Sequence, residues 1–237
     1  MGREVRIRVD LHAHTRHSLD ASTSPARLVE RAREAGLDRI AVTDHGVISG
    51  ALEARELDPS LVIVGEEIRC ADGSELIGLF LSERIPDRLT IEATAERIRG
   101  QGGVVYAPHP YAYPWRTRSR AQRVLEVADV AEVFNSRAFL PPWNYAARRG
   151  VARRRIPQGA GSDAHFPFEI GRAYVEMPAF DGPAEFLEAV VDARAVGRKV
   201  SGAHCFLASS VLRAARSAAE TRRLLLQPIP EPPVPLR

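Results

Sequence analysis

Val5-Arg-Ile-Arg-Val-Asp-Leu-His-Ala-His14 is the stretch on which the fold of this 237-residue chain turns. Apolar and polar residues alternate from Val5 to Leu11 with the period of a β-strand. The strand runs out on Asp10, His12 and His14, whose spacing predicts one shared face. A single His-x-His pair says little. The same arrangement, an imidazole or carboxylate where an apolar run stops, returns in Thr43-Asp-His45, Gly65-Glu-Glu67, Pro108-His-Pro110 and Ser162-Asp-Ala-His165. Five such segments predict a metal cluster at the mouth of a barrel.

Working outward, strands alternate with helices. Ser24-Pro25 reads as an N-cap followed by proline at the first helical position, with Leu28, Ala32 and Ala35 on one face and Gly36 as the stop. Strands are expected at 39–43, 61–64, 76–81, 103–107, 130–134 and 156–160, and Asp72-Gly73 predicts a hairpin turn before the run at 76–81. Helices are expected at 48–57, 90–99, ending near 128, at 142–149, at 183–196 and at 207–225, the last two without a ligand cluster. About seven strand-then-helix units predict an α/β fold, a mainly parallel sheet closed as a barrel rather than left open. One domain is expected over 1–226. Residues 227–237 hold five prolines and are expected to be an extended or disordered tail.

Composition narrows the setting. With 45% hydrophobic and 27% charged residues the chain reads as an ordinary globular protein, and no apolar run approaches the roughly 18–20 residues of a membrane span. Its start carries no signal-like apolar stretch, so no membrane partner and a cytoplasmic location are expected. Only Cys70 and Cys205 are present, far apart, so a disulfide framework and a thiolate zinc site are both excluded; any metal is held by nitrogen and oxygen. Arginines cluster at 116–123 and 148–155, which fits either a solvated helix face or a nucleic-acid surface.

The donor set is His12, His14, Asp20, His45, Glu67, His109, Asp163 and His165, about twice what one tetrahedral ion uses. Two or three divalent ions are therefore expected. Imidazole and carboxylate without thiolate suit zinc, manganese or iron alike. Asp44, beside His45, is expected to orient an imidazole rather than bind metal. His17 and His204 read as surface or structural residues, and Tyr111, Tyr113 and Trp115 as packing or pocket residues.

Taken together, His12-Ala-His-Thr-Arg-His-Ser-Leu-Asp20, Ile40-Ala-Val-Thr-Asp-His45, Gly65-Glu-Glu67-Ile, His109-Pro, Glu132-Val-Phe-Asn135 and Gly161-Ser-Asp-Ala-His165 resemble the polymerase and histidinol phosphatase (PHP) superfamily, in its order, over roughly residues 5–178. The resemblance implies a distorted seven-stranded (β/α) barrel with a trinuclear site at the C-terminal ends of its strands, and phosphoesterase activity. It implies one ion on His12, His14, Glu67 and Asp163, a second on Glu67 and His109, and a third on Asp20, His45 and His165. It favours Glu67 over Glu66 as the bridging ligand. Many relatives carry a histidine where this chain has Asn135, which would offer the second ion a weaker, neutral oxygen. The 41 residues between Glu67 and His109 leave no room for the capping subdomain of some nucleotide-hydrolysing relatives.

The expected reaction is hydrolysis of a phosphate ester, most simply a small phosphomonoester, by a metal-activated hydroxide. Two ions about 3.5–4 Å apart make hydroxide available at neutral pH and offset the phosphoryl charge. Asp163 is the expected proton acceptor, and Arg116, Arg137 and Arg172 are candidates for phosphate contact. Two alternatives stand beside it. One is a nuclease or phosphodiesterase acting on oligonucleotides. The other is a non-catalytic metal-binding module for a protein partner.

Overall fold

In a computed structural model, which describes residues 5–112, 118–138, 140–199 and 202–225, the opening stretch forms β1 (Arg6–Ala13). Then come α1 (Pro25–Glu34), β2 (Arg39–Val42), α2 (Ser49–Leu57), β3 (Val62–Arg69), β4 (Glu75–Leu79), α3 (Ile91–Gly100), β5 (Val104–Ala107) and α4 (Arg118–Val127). β6 (Val130–Asn135), α5 (Pro141–Arg154), β7 (Gln158–Gly161), β8 (Ala173–Pro178), α6 (Gly182–Ala189), β9 (Arg194–Gly197) and α7 (Gly202–Leu225) follow. Local chemistry sets the helix starts. Ser24 accepts from the Arg27 amide ahead of Pro25, and Thr90 accepts from the Ala93 amide, each satisfying a donor the first helical turn leaves open.

The nine strands among the described residues belong to one sheet, ordered β7-β6-β5-β4-β3-β2-β1-β8-β9. The pairs β1–β2, β2–β3, β5–β6 and β6–β7 are parallel, and β4 runs antiparallel to both its neighbours because it is the return strand of the expected hairpin. The sheet closes where β7 runs out. Asp163 N donates to His12 O at 2.7 Å, and His14 N to Ala164 O at 2.9 Å. Lower on β1, residues 6–9 pair instead with β8, so β8 forks away from the seam and carries β9 with it. Asp10 sits at the fork: its carboxylate accepts from the amides of His12 and Ser162, at 3.3 and 2.9 Å, and of Gly171 at 3.4 Å.

The fold is thus an α/β barrel of seven strands, with two more strands on its flank. The helix expected over 183–196 is corrected: α6 ends at Ala189, and Arg194–Gly197 pairs with β8 as a strand. The edge of β8 would otherwise leave a row of amides and carbonyls unpaired. The core has two layers. Val9, Leu11, Ala41, Ile63, Ile77 and Tyr106 belong to a cluster built almost wholly from strands, closed by Phe180 and Phe186. Leu28, Ile40, Val42, Ala51, Val64 and Ile98 pack in a second cluster, of strand against helix. The proline-rich tail at 227–237 lies outside the described residues.

Candidate metal centre

Five strands, β1, β2, β3, β5 and β7, and the loop after β1 bring the donors together. His12 Nε2 and His14 Nε2 are 3.1 Å apart; they stand 3.4 and 3.5 Å from Glu67 Oε2, and 3.5 and 3.3 Å from Asp163 Oδ1. Each of these five separations matches the edge of a tetrahedron whose corners lie about 2 Å from its centre, the bond length of zinc to nitrogen or oxygen. Glu67 then splits its oxygens. Oε2 is also 3.1 Å from His45 Nδ1, while Oε1 is 3.3 Å from His109 Nε2, as a carboxylate shared between two ions requires. His14, His45 and His165 form a further converging trio, and Asp20 lies beside it, 3.5 Å from His45 Nε2 and 3.7 Å from His165 Nε2.

The strand alternation that delivers these groups is not strict. The β1 register slips between Asp10 and Ala13. Val9 and Leu11 share the strand-built cluster whereas Ala13 packs toward the helices. His12 and His14 reach the donor cluster, but Asp10, expected on their face, stays at the seam. Two donors sit on backbone of positive φ, His109 at 26° and Asp163 at 53°, a conformation non-glycine residues hold only where their surroundings impose it. At Gly161 the seam leaves no space for a side chain: a Cβ would lie 2.3 Å from His12 Cβ and 2.6 Å from Glu132 Oε1.

Behind the donors stands a ring of orienting groups. Glu132 lies 3.3 Å from His12 Nδ1 and accepts from the His109 amide (2.7 Å) and Asn135 Nδ2 (3.0 Å). Asp44 accepts from Thr15 and from Ser18 Oγ, and Ser18 Oγ in turn stands 3.3 Å from His14 Nδ1; Asp44 thus acts on the imidazole through a serine. Glu66, on the other side of β3 from Glu67, caps the Ile85 amide at 2.8 Å. Burial pushes its carboxyl up to about 7.

Charge completes the picture. Burial works against an ionised Glu67 and Asp163, yet neighbouring histidines hold both carboxyls well below the usual range. Burial works against a protonated His12 or His45, yet the surrounding carboxylates hold both well above the usual imidazole value. His14 goes the other way, down to about 3, through burial and the imidazoles of His165 and His45. A pocket of carboxylates this dry calls for positive charge. Glu67 Oε1 and Asp20 Oδ1 are buried without a hydrogen-bond donor among the described residues, the condition of oxygens shaped for an ion. Donor type, spacing and open lone pairs all fit divalent metal.

The PHP domain model matches residues 10–98, and the PHP-associated model matches residues 141–195. An uncharacterized protein of Methanocaldococcus jannaschii is 35% identical over 144 residues, which is 55% of this chain and 82% of that protein. The chain belongs to the PHP family. Among solved structures, PsfC from Pseudomonas syringae is similar with a TM-score of 0.64 at 17% identity, over 89% of this chain and 99% of that one. The lesion-specific endonuclease of Pyrococcus furiosus is similar with a TM-score of 0.57 at 17% identity, over 81% of this chain and 58% of that one. At such identities the likeness is one of fold.

Against the PHP pattern three placements differ from the sequence-based expectations. Asn135 does not turn its oxygen to the cluster: Oδ1 accepts from the amides of Arg137 (2.9 Å) and Ala138 (3.0 Å), and only Nδ2, which has no lone pair to give, faces Glu132 and Asp163. Arg137 lines the cavity, but its guanidinium is engaged by both oxygens of Glu169 at 2.8 and 2.9 Å, by the Cys205 carbonyl and by Ser209 Oγ. Arg172 is not among the described residues that line the cavity; its Nε donates to the Phe168 carbonyl. Arg116, Tyr113 and Trp115 lie outside the described residues. Tyr111 packs on the core, and His17 lies between Ser49 and Glu53, away from the cluster.

What sequence reasoning missed is α7. The cavity over the donors has a volume of about 620 Å³, and Phe206, Ser209, Ser210, Arg213 and Ser217 form its far wall. Glu132 had a faint signal, three residues before Asn135 at the end of a strand. Arg213 had none, being one arginine among many on an ordinary amphipathic helix.

Proposed function

We propose that this chain is a metal-dependent hydrolase of phosphate esters, with a small phosphomonoester as substrate. The observation that carries the reading is the approach of both Glu67 and Asp163 to within 3.5 Å of the paired His12 and His14 nitrogens, with Glu67 extending to His109 on its other oxygen. These residues would hold two divalent ions, and Asp20, His45 and His165 flank a third position. Zinc, manganese and iron suit the donors equally.

Divalent ions held here would supply Lewis acidity, lowering the pKa of water and offsetting charge on the phosphoryl oxygens. The protein's own part is positional. Glu132 fixes the His12 tautomer so that Nε2 presents its lone pair to the cluster. Asp163 gives Oδ1 to the donor set and keeps Oδ2 for the proton of the attacking water, with Asn135 Nδ2 at 3.2 Å setting its direction. Arg137 holds Glu169, whose Oε2 accepts from the His165 amide at 2.7 Å and so fixes that imidazole's backbone; we assign it this orienting role in place of phosphate contact.

The size of the cavity favours a small substrate over a polymer, since roughly 300–1,000 Å³ is the range of small-molecule sites. Part of the arginine runs favours it as well: Arg123 pairs with Asp72 and Glu92, Arg148 lies over Phe134, and Arg149 contacts Tyr145, so these three are engaged by the barrel's own residues. The nuclease alternative draws support from the fold shared with the lesion-specific endonuclease. A non-catalytic module has little to favour it when all eight donors converge. We read the described elements as one domain in a chain without a helix, among the described residues, long and apolar enough to cross a membrane. The test is a phosphate-release screen of sugar phosphates, amino-alcohol phosphates, nucleotides and short oligonucleotides with added manganese or zinc. Phosphate release from monoesters alone supports the proposal, metal-dependent shortening of the oligonucleotides, which frees no phosphate and is read by their length, replaces it with the nuclease, and neither result with any substrate contradicts it.

A further inference from the structure

α7 faces the donor cluster across the cavity, and Phe206, Ser210, Arg213 and Ser217, spaced by four, three and four residues, line it as one stripe. Arg213 reaches across to Asp20. Its Nε lies 3.0 Å from Asp20 Oδ2, and its Nη2 closes on the same oxygen. Three residues on, Arg216 Nη1 donates to the carbonyls of Ser18 at 3.1 Å and Ala21 at 2.7 Å. The loop that carries Asp20 is therefore pinned to α7 at the carboxylate and on both sides of it.

Asp20 is buried, and Oδ2 is also the oxygen 3.5 Å from His45 Nε2. A guanidinium on that oxygen takes the lone pairs through which Oδ2 would join His45 in holding an ion, and leaves Oδ1 as the open oxygen of Asp20. Asp20 is buried but Arg213 is half exposed, so a second cation on that carboxylate is opposed by the guanidinium through partly screened repulsion and by competition for the same oxygen. The charges at the donors agree: Glu67, Asp163, Asp20 and Glu132 carry four negative charges that two divalent ions balance with the imidazoles neutral, while the other buried carboxylates are engaged elsewhere, Glu169 by Arg137, Asp44 by Thr15 and Ser18, Asp10 and Glu66 by backbone amides. Arg213 then leaves one positive charge facing the cavity. A third ion added beside it would leave three.

We propose that Arg213 takes the place of the third cation, holding Asp20 so that the chain binds two divalent ions rather than three. The proposal rests on the metal-centre reading above and adds to it a role for α7. The third position is filled by a side chain, and its occupancy is set by a helix outside the barrel.

The experiment counts ions. Metal-free wild type, Arg213→Met and Arg213→Gln are loaded with excess Mn²⁺ at neutral pH, passed through a desalting column and analysed for manganese per chain, with circular dichroism to check folding. Two variants of different polarity guard against one failing to fold. Two ions are expected in the wild type and three in either variant, and adding Asp20→Asn to Arg213→Met should return the count to two. Equal counts in wild type and folded variants, whether two or three, overturn the role of Arg213 while leaving the metal centre standing. Fewer than about one ion in every protein overturns the metal centre and this proposal with it.

Discussion

Asp163 divides its two oxygens between two tasks: Oδ1 faces His12 and His14, and Oδ2 accepts from Asn135. Asp163→Asn keeps one donor oxygen and removes the proton acceptor. Turnover should fall by about 10²–10⁴, the usual contribution of a general base, while the metal count falls far less. Elemental analysis and rate measured on the same preparations separate the two; wild-type turnover at full metal would rule out the role given to Asp163. His14→Ala, which deletes a donor, should lower both. Asn135 carries a different load, because its oxygen satisfies two backbone amides. Asn135→Ala should therefore destabilise by roughly 2–3 kcal/mol, a Tm loss near 5–10 °C for a chain of this size, measurable by thermal melting without metal. The sign of the pH effect also follows from single residues. His12 and His45 hold protons more tightly than free imidazole, and a metal must displace them. Calorimetry in buffers of different ionisation enthalpy should record net proton release on Mn²⁺ binding at neutral pH, with affinity rising as pH rises; proton uptake would contradict this.

Among the elements, the seam between β1 and β7 does most to place the site. Gly161→Ala would push a methyl into His12 and Glu132, and should reduce metal content as well as stability. Asp10 at the fork is testable through linkage. Burial raises its carboxyl from 3.8 to about 7, so the folded state binds that proton more tightly than the unfolded chain. Its contribution is fully present below about pH 4 and is lost as pH rises toward 7. Asp10→Asn should lack that slope, and the difference in unfolding free energy between metal-free wild type and variant should move in the variant's favour from pH 4 to pH 7. A flat difference would contradict it. The elements were unevenly legible in sequence. Strands ending in ligands announced themselves, as did helices with Ser24 and Thr90 caps. β8 was overlooked although Ala173–Pro178 buries every second residue, because its tyrosine, glutamate and methionine made a weak apolar signal. β9 was misread as helix, since Arg194-Ala-Val-Gly197 becomes a strand only through the open edge of β8, a tertiary fact.

For the whole molecule, the donors were legible because metal chemistry restricts residue type and strand geometry restricts spacing. The second ring was less so. Asn135 looked like a ligand by position, and only its two amide partners show the oxygen turned away. The α7 wall was invisible, because nothing in an arginine's neighbours in sequence says that it crosses a cavity to Asp20. The account's central claim is that the barrel mouth binds metal at stated residues. Anomalous scattering at the manganese edge, from a crystal of the Mn²⁺-loaded protein, tests it most directly. Two peaks are predicted, one among His12, His14, Glu67 and Asp163 and one between Glu67 and His109; no peak within bonding distance of Glu67 would contradict it.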